Sequence, residues 1–138
     1  MKRRPSATVV GMHNGRVVLT REWAQGIRKS ILRFPAGFVE EGETPKQTAL
    51  REMLEETGFA ATGLRKISTT YPSPQNVFMP VHIFIAKKLE KKKAHEEKTE
   101  DITLVFKTKK ELDVIAENGG LPSSDDAAAW LIARRFFK

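Results

Sequence analysis

The chain has 138 residues, 40% hydrophobic and 30% charged, a length for one domain and a composition that excludes wholesale disorder. No apolar run approaches the roughly 18 residues of a membrane span, and the absence of cysteine excludes disulfides, thiolate zinc sites and cysteine nucleophiles. The net charge of +7 points to an anionic partner such as nucleotide, nucleic acid or acidic lipid. The basic start, Met1-Lys2-Arg3-Arg4-Pro5, leads into a polar segment instead of a signal-peptide core, and the expected setting is cytoplasmic.

In chain order, Ala7 to Met12 reads as a strand, Asn14-Gly15 as a type I′ hairpin turn, and Arg16 to Thr20 as the partner strand. Gly26 to Ser30 reads as a loop, and Ile31 to Phe34 as a short strand that Pro35 ends. Thr44, Pro45 and Gln47 form a helix start with a capping box, and Gly58 suits the C′ position, so a helix is expected over Pro45 to Thr57. Strands follow near Leu64 to Tyr71 and over Phe78 to Lys88, with a Pro72-Ser73-Pro74 turn between them. A charged stretch, Lys87 to Asp101, interrupts the pattern before a strand over Ile102 to Phe106. Thr108 and Glu111 form a second capping box, opening a helix that Gly119-Gly120 closes. Ser124 to Phe137 reads as a last amphipathic helix with Ala128, Leu131, Ile132 and Phe136 on or near one face. With no repeat and no linker, residues 1–138 form one α/β domain, a mixed sheet with helices packed on it.

The charge is uneven. Between Glu40 and Glu56 lie six acids and two bases, which leaves 22 bases against 11 acids elsewhere. Self-repulsion in such a knot is offset most simply by a bound cation. Glu52, Glu55 and Glu56 fall at i, i+3 and i+4, so a helix sets all three carboxylates on one face. Arg51 stands four residues before Glu55 and within reach of Glu43. An oxygen-rich cluster without Cys or His at ligand spacing selects Mg²⁺ or Mn²⁺ over Zn²⁺. Metal-assisted chemistry at phosphorus is the matching reaction class, although the spacing alone also fits a solvated glutamate face. The lysine-rich stretch Lys87 to Lys93 contains no aromatic residue to stack on bases, so it reads as a solvated hairpin end and a nucleic-acid partner is not expected.

The 23 residues from Gly37 to Phe59 carry Gly37, Glu43, Arg51, Glu52, Glu55, Glu56 and Gly58 at fixed spacing, with Met53 and Phe59 at hydrophobic positions. This pattern resembles the Nudix box. The resemblance implies a Nudix-type α/β/α sandwich with a mixed β-sheet, hydrolysing a nucleoside diphosphate linked to another moiety with divalent metal. It implies Glu52 and Glu56 as principal metal ligands, Glu55 as ligand or close support, and Arg51 and Glu43 as orienting partners. It also implies coordination by the Ala36 carbonyl, with Gly37 needed for backbone approach and a special turn conformation. Glu40 and Glu41 sit at variable box positions and read as solvated loop acids.

Phe34 to Glu43, the Tyr71-Pro72-Ser73-Pro74 segment and Glu100-Asp101-Ile102 look like the ADP-ribose pyrophosphatase branch of that superfamily. In that branch an acidic loop before the last strand supplies a metal ligand and a general base, matched here by Glu100 and Glu97, with Glu96 or Glu100 as alternatives for the base. Its dimers use an additional N-terminal strand region, whereas the first strand here begins almost at once, so a homodimer is left open. Arg21, Trp23 and Phe78 are the residues suited to phosphate or base contact. The implied substrate is a small nucleoside diphosphate derivative, with ADP-ribose or a nucleotide sugar first. A nucleoside triphosphate or dinucleoside polyphosphate hydrolase, or a non-catalytic nucleotide- or RNA-binding module, is the rival, and no membrane partner is expected.

Overall fold

The structure, a computed structural model, describes residues 2–92 and 102–138. Among the described residues seven strands and three helices follow in the order β1 (Ser6–His13), β2 (Arg16–Ala24), β3 (Lys29–Arg33), β4 (Ala36–Phe38), α1 (Pro45–Thr57), β5 (Phe59–Thr70), β6 (Val81–Lys91), β7 (Ile102–Thr108), α2 (Lys109–Glu117) and α3 (Ser124–Ala133). A 3₁₀ turn, Arg134–Phe136, ends the last helix.

Local signals and structure agree where hydrogen bonds close within a few residues. Asn14 and Gly15 both take positive φ, 51° and 77°, as the type I′ turn joining β1 to β2 requires. The Thr44–Gln47 capping box forms in full, and Gly58 ends α1 at φ 81° in the left-handed region. The Thr108–Glu111 box opens α2 in the same way.

Where partners are distant, the strands differ from expectation. A tight turn, with the Arg28 amide donating to the Ala24 carbonyl at 2.8 Å, lets β3 begin at Lys29 inside the expected loop. β3 ends at Arg33, before Pro35 as expected, but a further strand forms beyond Pro35. The Pro35 carbonyl accepts from the Val9 amide at 3.0 Å, and β4 follows at once, pairing Thr8 with Ala36 and Ser6 with Phe38. β5 starts at Phe59 and β6 continues to Lys91, paired along their length with a bulge between Lys66 and Ser68. Ladder partners thus recruit Ala60, Ala61 and the first lysines of the charged stretch despite poor strand propensity.

β1 is the hub of the sheet. It runs parallel to β6 on one edge; its other edge pairs first with β4 and then with β2. β2 lies antiparallel to β3 and β7. One core, including Ala7, Val9, Val18 and Phe84, receives Ala49 and Met53 of α1. The opposite face, including Val10, Leu19, Leu32 and Phe34, is covered by Leu112 of α2 and by Ala129, Trp130 and Ala133 of α3. The result is an α/β/α sandwich on a mixed sheet.

The buried stripe of α3 is Asp126, Ala129, Trp130 and Ala133, one step round from the face expected; Leu131 is 73% exposed. The offset arises because the indole packs on Phe34 while its Nε1 donates to Asp113 Oδ1 at 2.8 Å, fixing the helix rotation. Denaturant titration of Trp130→Ala is expected to show a loss of about 3–5 kcal/mol. Leu131→Ala should stay within about 0.5 kcal/mol of the parent protein.

Candidate functional site

Burial of Ala49 and Met53 on the sheet turns the neighbouring stripe of α1, Glu52 and Glu56, toward β4. Glu56 reaches under the strand, where its Oε2 accepts from the Ala36 amide at 3.1 Å. Glu52 lies so close beneath Gly37 that a Cβ there would meet its Cδ at 2.5 Å and its Cγ at 2.9 Å. Gly37 is therefore required for close approach. Its φ lies outside the left-handed region that Gly42 and Gly58 adopt, so the expected special turn conformation is absent.

Arg51 organises the outer rim. Its Nε donates to Glu43 Oε2 at 2.8 Å and a terminal nitrogen donates to Oε1 at 3.0 Å, a two-pronged pair. The other terminal nitrogen donates to Glu52 Oε1 at 2.7 Å and to Glu55 Oε2 at 3.4 Å. Glu40 lies 3.6 Å from the guanidinium, with its side chain largely exposed. The Glu55 side chain is 58% exposed, so it sits at the margin of the cluster.

Two carboxylates of one motif titrate in opposite directions. Hydrogen bonds from Arg51 and then Thr48 hold Glu43 down at about 2. Burial, and next the adjoining Glu52 carboxylate, push Glu56 up to about 9. Glu56, with one backbone N–H donor and the Glu52 carboxylate beside it, is short of positive charge, and the all-oxygen donor set of the pair suits a hard divalent cation. Glu52, Glu56 and the Ala36 carbonyl are the groups that would hold it. Among the described residues no three acidic or histidine side chains already converge at ligand geometry.

Sequence reasoning missed a second constellation beside this pair. Asp126, whose side chain is fully buried, accepts from Arg33 Nε at 2.8 Å and from the Phe34 amide at 3.3 Å. Burial raises the Asp126 carboxyl above its ordinary value, against the pull of Arg33. Arg33 also lies 3.6 Å from Glu22, and Glu22 in turn adds to the negative field on Glu56. A cleft of about 450 Å³ opens here, bounded by Thr8, Arg33, Ala36, Gly37, Phe38 and Asp125 among others. Residues 22, 33 and 126 come from three separated stretches, and no local spacing announces their meeting.

The other expected contact residues lie apart from the pair. Arg21 and Trp23 alternate with Glu22 along β2 and so project from the opposite face of the strand; Trp23 donates to Gln25 at 2.8 Å. Phe78 is half-exposed, 6.0 Å from the Tyr71 ring, and its neighbour Met79 lines the cleft. Glu96, Glu97 and Glu100 lie outside the described residues.

The site is thus a glutamate-bearing helix pressed against a glycine strand in an α/β/α sandwich. The NUDIX domain family model matches residues 2–130, and the chain belongs to that family, whose members use divalent metal ions and act on small nucleotides. It is similar to ADP-ribose pyrophosphatase of Bacillus subtilis, 38% identical over 87 residues that cover 63% of this chain and 47% of that protein. It is also similar to mouse ADP-sugar pyrophosphatase, 44% identical over 48 residues covering 35% and 22% of the two chains. The chain thus spans less than half the length of these relatives. A solved ADP compounds hydrolase superposes with a TM-score of 0.85 at 22% identity, covering 97% of this chain and 72% of that one, which shows the shared fold. Among the described residues no helix is long and apolar enough to cross a membrane.

Because the folded protein raises Glu56 from 4.5 to about 9, it holds a proton that the unfolded chain has released. Stability from this group is complete below pH 4.5 and is lost as pH rises toward 9. Thermal melts in EDTA should show Tm falling over that window, and Glu56→Gln should flatten the fall. Gly37→Ala, which must displace Glu52, is expected to cost about 1–3 kcal/mol in denaturant unfolding. The same variant should weaken Mn²⁺ binding by at least about 10-fold in calorimetric titration.

Proposed function

We propose that the chain hydrolyses the diphosphate linkage of a nucleoside diphosphate derivative, with ADP-ribose or a nucleotide sugar as substrate and Mg²⁺ or Mn²⁺ as cofactor. The observation that carries this reading is the Glu52–Glu56 pair, held between Gly37 and the Ala36 amide beside an open cleft. The similarity to an ADP-ribose pyrophosphatase and an ADP-sugar pyrophosphatase supports the substrate class.

In this mechanism Glu52, Glu56 and the Ala36 carbonyl hold the cation, and Glu100 completes the set. Bound there, a divalent cation neutralises phosphoryl oxygens and makes water more acidic. Arg51, fixed by its two-pronged bond to Glu43, orients Glu52 and Glu55 so that they do not swing away when charge arrives. The cleft walls Thr8, Phe38 and Asp125 orient the substrate. The proton released by the attacking water passes to an acid of the 96–100 segment, Glu97 first. ADP-ribose then yields AMP and ribose 5-phosphate.

A panel of ADP-ribose, nucleotide sugars, nucleoside triphosphates and dinucleoside polyphosphates, assayed with Mg²⁺, Mn²⁺ or EDTA, tests this. AMP should appear from ADP-ribose with metal and not with EDTA, and Glu56→Gln should lower turnover by more than about 100-fold. Diphosphate release from triphosphates alone would move the substrate class. Tight nucleotide binding without turnover under any cation would sink the enzymatic reading.

A further inference from the structure

Asp126 lies on α3, on the side of the sheet opposite the glutamate helix, yet it grips the strand that builds the site. Its fully buried carboxylate takes one hydrogen bond from Arg33 Nε at 2.8 Å and one from the Phe34 amide at 3.3 Å. Two residues further on, the Ala36 amide donates to Glu56 at 3.1 Å. Pro35 joins the two points with restricted torsions, and its carbonyl is tied to Val9 at 3.0 Å. Residues 33–36 are therefore a short, stiff segment fastened at one end to α3 and at the other to α1. Arg33 reaches from Asp126 toward Glu22, 3.6 Å away, so the same clamp fixes a cation between the α3 carboxylate and Glu22 of β2.

We infer that Asp126 is a positioning residue for the metal site: through Arg33 and the Phe34 amide it sets the placement of Ala36 against Glu56, and hence the affinity for the divalent cation. This rests on the proposed metal role of Glu52 and Glu56, and the test reads metal binding without nucleotide so that failure of hydrolysis is a separate result. Asp126→Asn keeps an acceptor for the Phe34 amide but puts an amide or a neutral oxygen before Arg33. Outer groups that orient metal ligands typically carry 10- to 100-fold of affinity, and a loss in that range is expected for Mn²⁺ measured by electron paramagnetic resonance at low temperature. Trp130→Phe is the comparator. It lies on the same helix, loses the hydrogen bond to Asp113, and should lower Tm while leaving Mn²⁺ affinity within about 2-fold.

The wild-type protein supplies a second measurement that needs no variant to fold. Coupling is reciprocal, so saturating Mg²⁺ should slow hydrogen exchange at the Phe34 amide along with the Ala36 amide. Unchanged Mn²⁺ affinity in Asp126→Asn, an equal loss in Trp130→Phe, or a Phe34 amide indifferent to Mg²⁺ while Ala36 responds would each overturn the inference. A wild-type protein that binds no Mn²⁺ would overturn it together with the proposed function. Mn²⁺ binding without turnover would overturn only the latter.

Discussion

The contact on which the site depends is the approach of α1 to β4, with Glu52 beneath Gly37 and Glu56 beneath the Ala36 amide. No side chain larger than hydrogen fits at position 37 without displacing Glu52. The helix is held at that distance by Ala49 and Met53, both fully buried against the sheet. Core packing thus places two carboxylates where water solvates them poorly, at a free-energy cost that only a proton or a cation relieves. The site is prepared for positive charge because the hydrophobic core has put its acids there.

Arg51 relieves that cost for Glu52, to which it donates at 2.7 Å, rather than for Glu56. Its fork is committed to Glu43, with one nitrogen left for Glu52 and Glu55. Glu43 is consequently held ionised at the rim while Glu56 is driven toward neutrality inside. One acid of the motif is a fixed structural anion and the other is the group whose charge its surroundings disfavour. The net charge of +7 hides this division, since the acids that matter are concentrated on one helix and its entry loop.

How much of this was legible in the sequence follows from the range of the interactions involved. The two capping boxes, the Asn14-Gly15 turn and the left-handed Gly58 each close within a few residues, and each was readable. The glutamate spacing was readable for the same reason, because a helix converts i, i+3 and i+4 into one face. β4 was not, since three residues after a proline become a strand only when Ser6 to Thr8 lie alongside. The rotation of α3 was missed because Trp130 is fixed by Asp113 on another helix and by Phe34 on the sheet. Glu22, Arg33 and Asp126 carry no mutual spacing signal, and only the sandwich brings them together.

The partner exchange along β1 explains why those three meet beside the glutamates. β1 gives its first residues to β4 and its last to β2, so the chain leaving β3 must turn at Phe34-Pro35 and cross to a new neighbour. A crossing strand leaves backbone amides without ladder partners, and at this crossing side chains from both faces supply them: Asp126 takes the Phe34 amide from one side and Glu56 takes the Ala36 amide from the other. The irregular strand order and the buried acids are therefore one feature. A continuous β3–β4 strand would satisfy those amides within the sheet, and neither carboxylate would have a backbone donor to hold it in place.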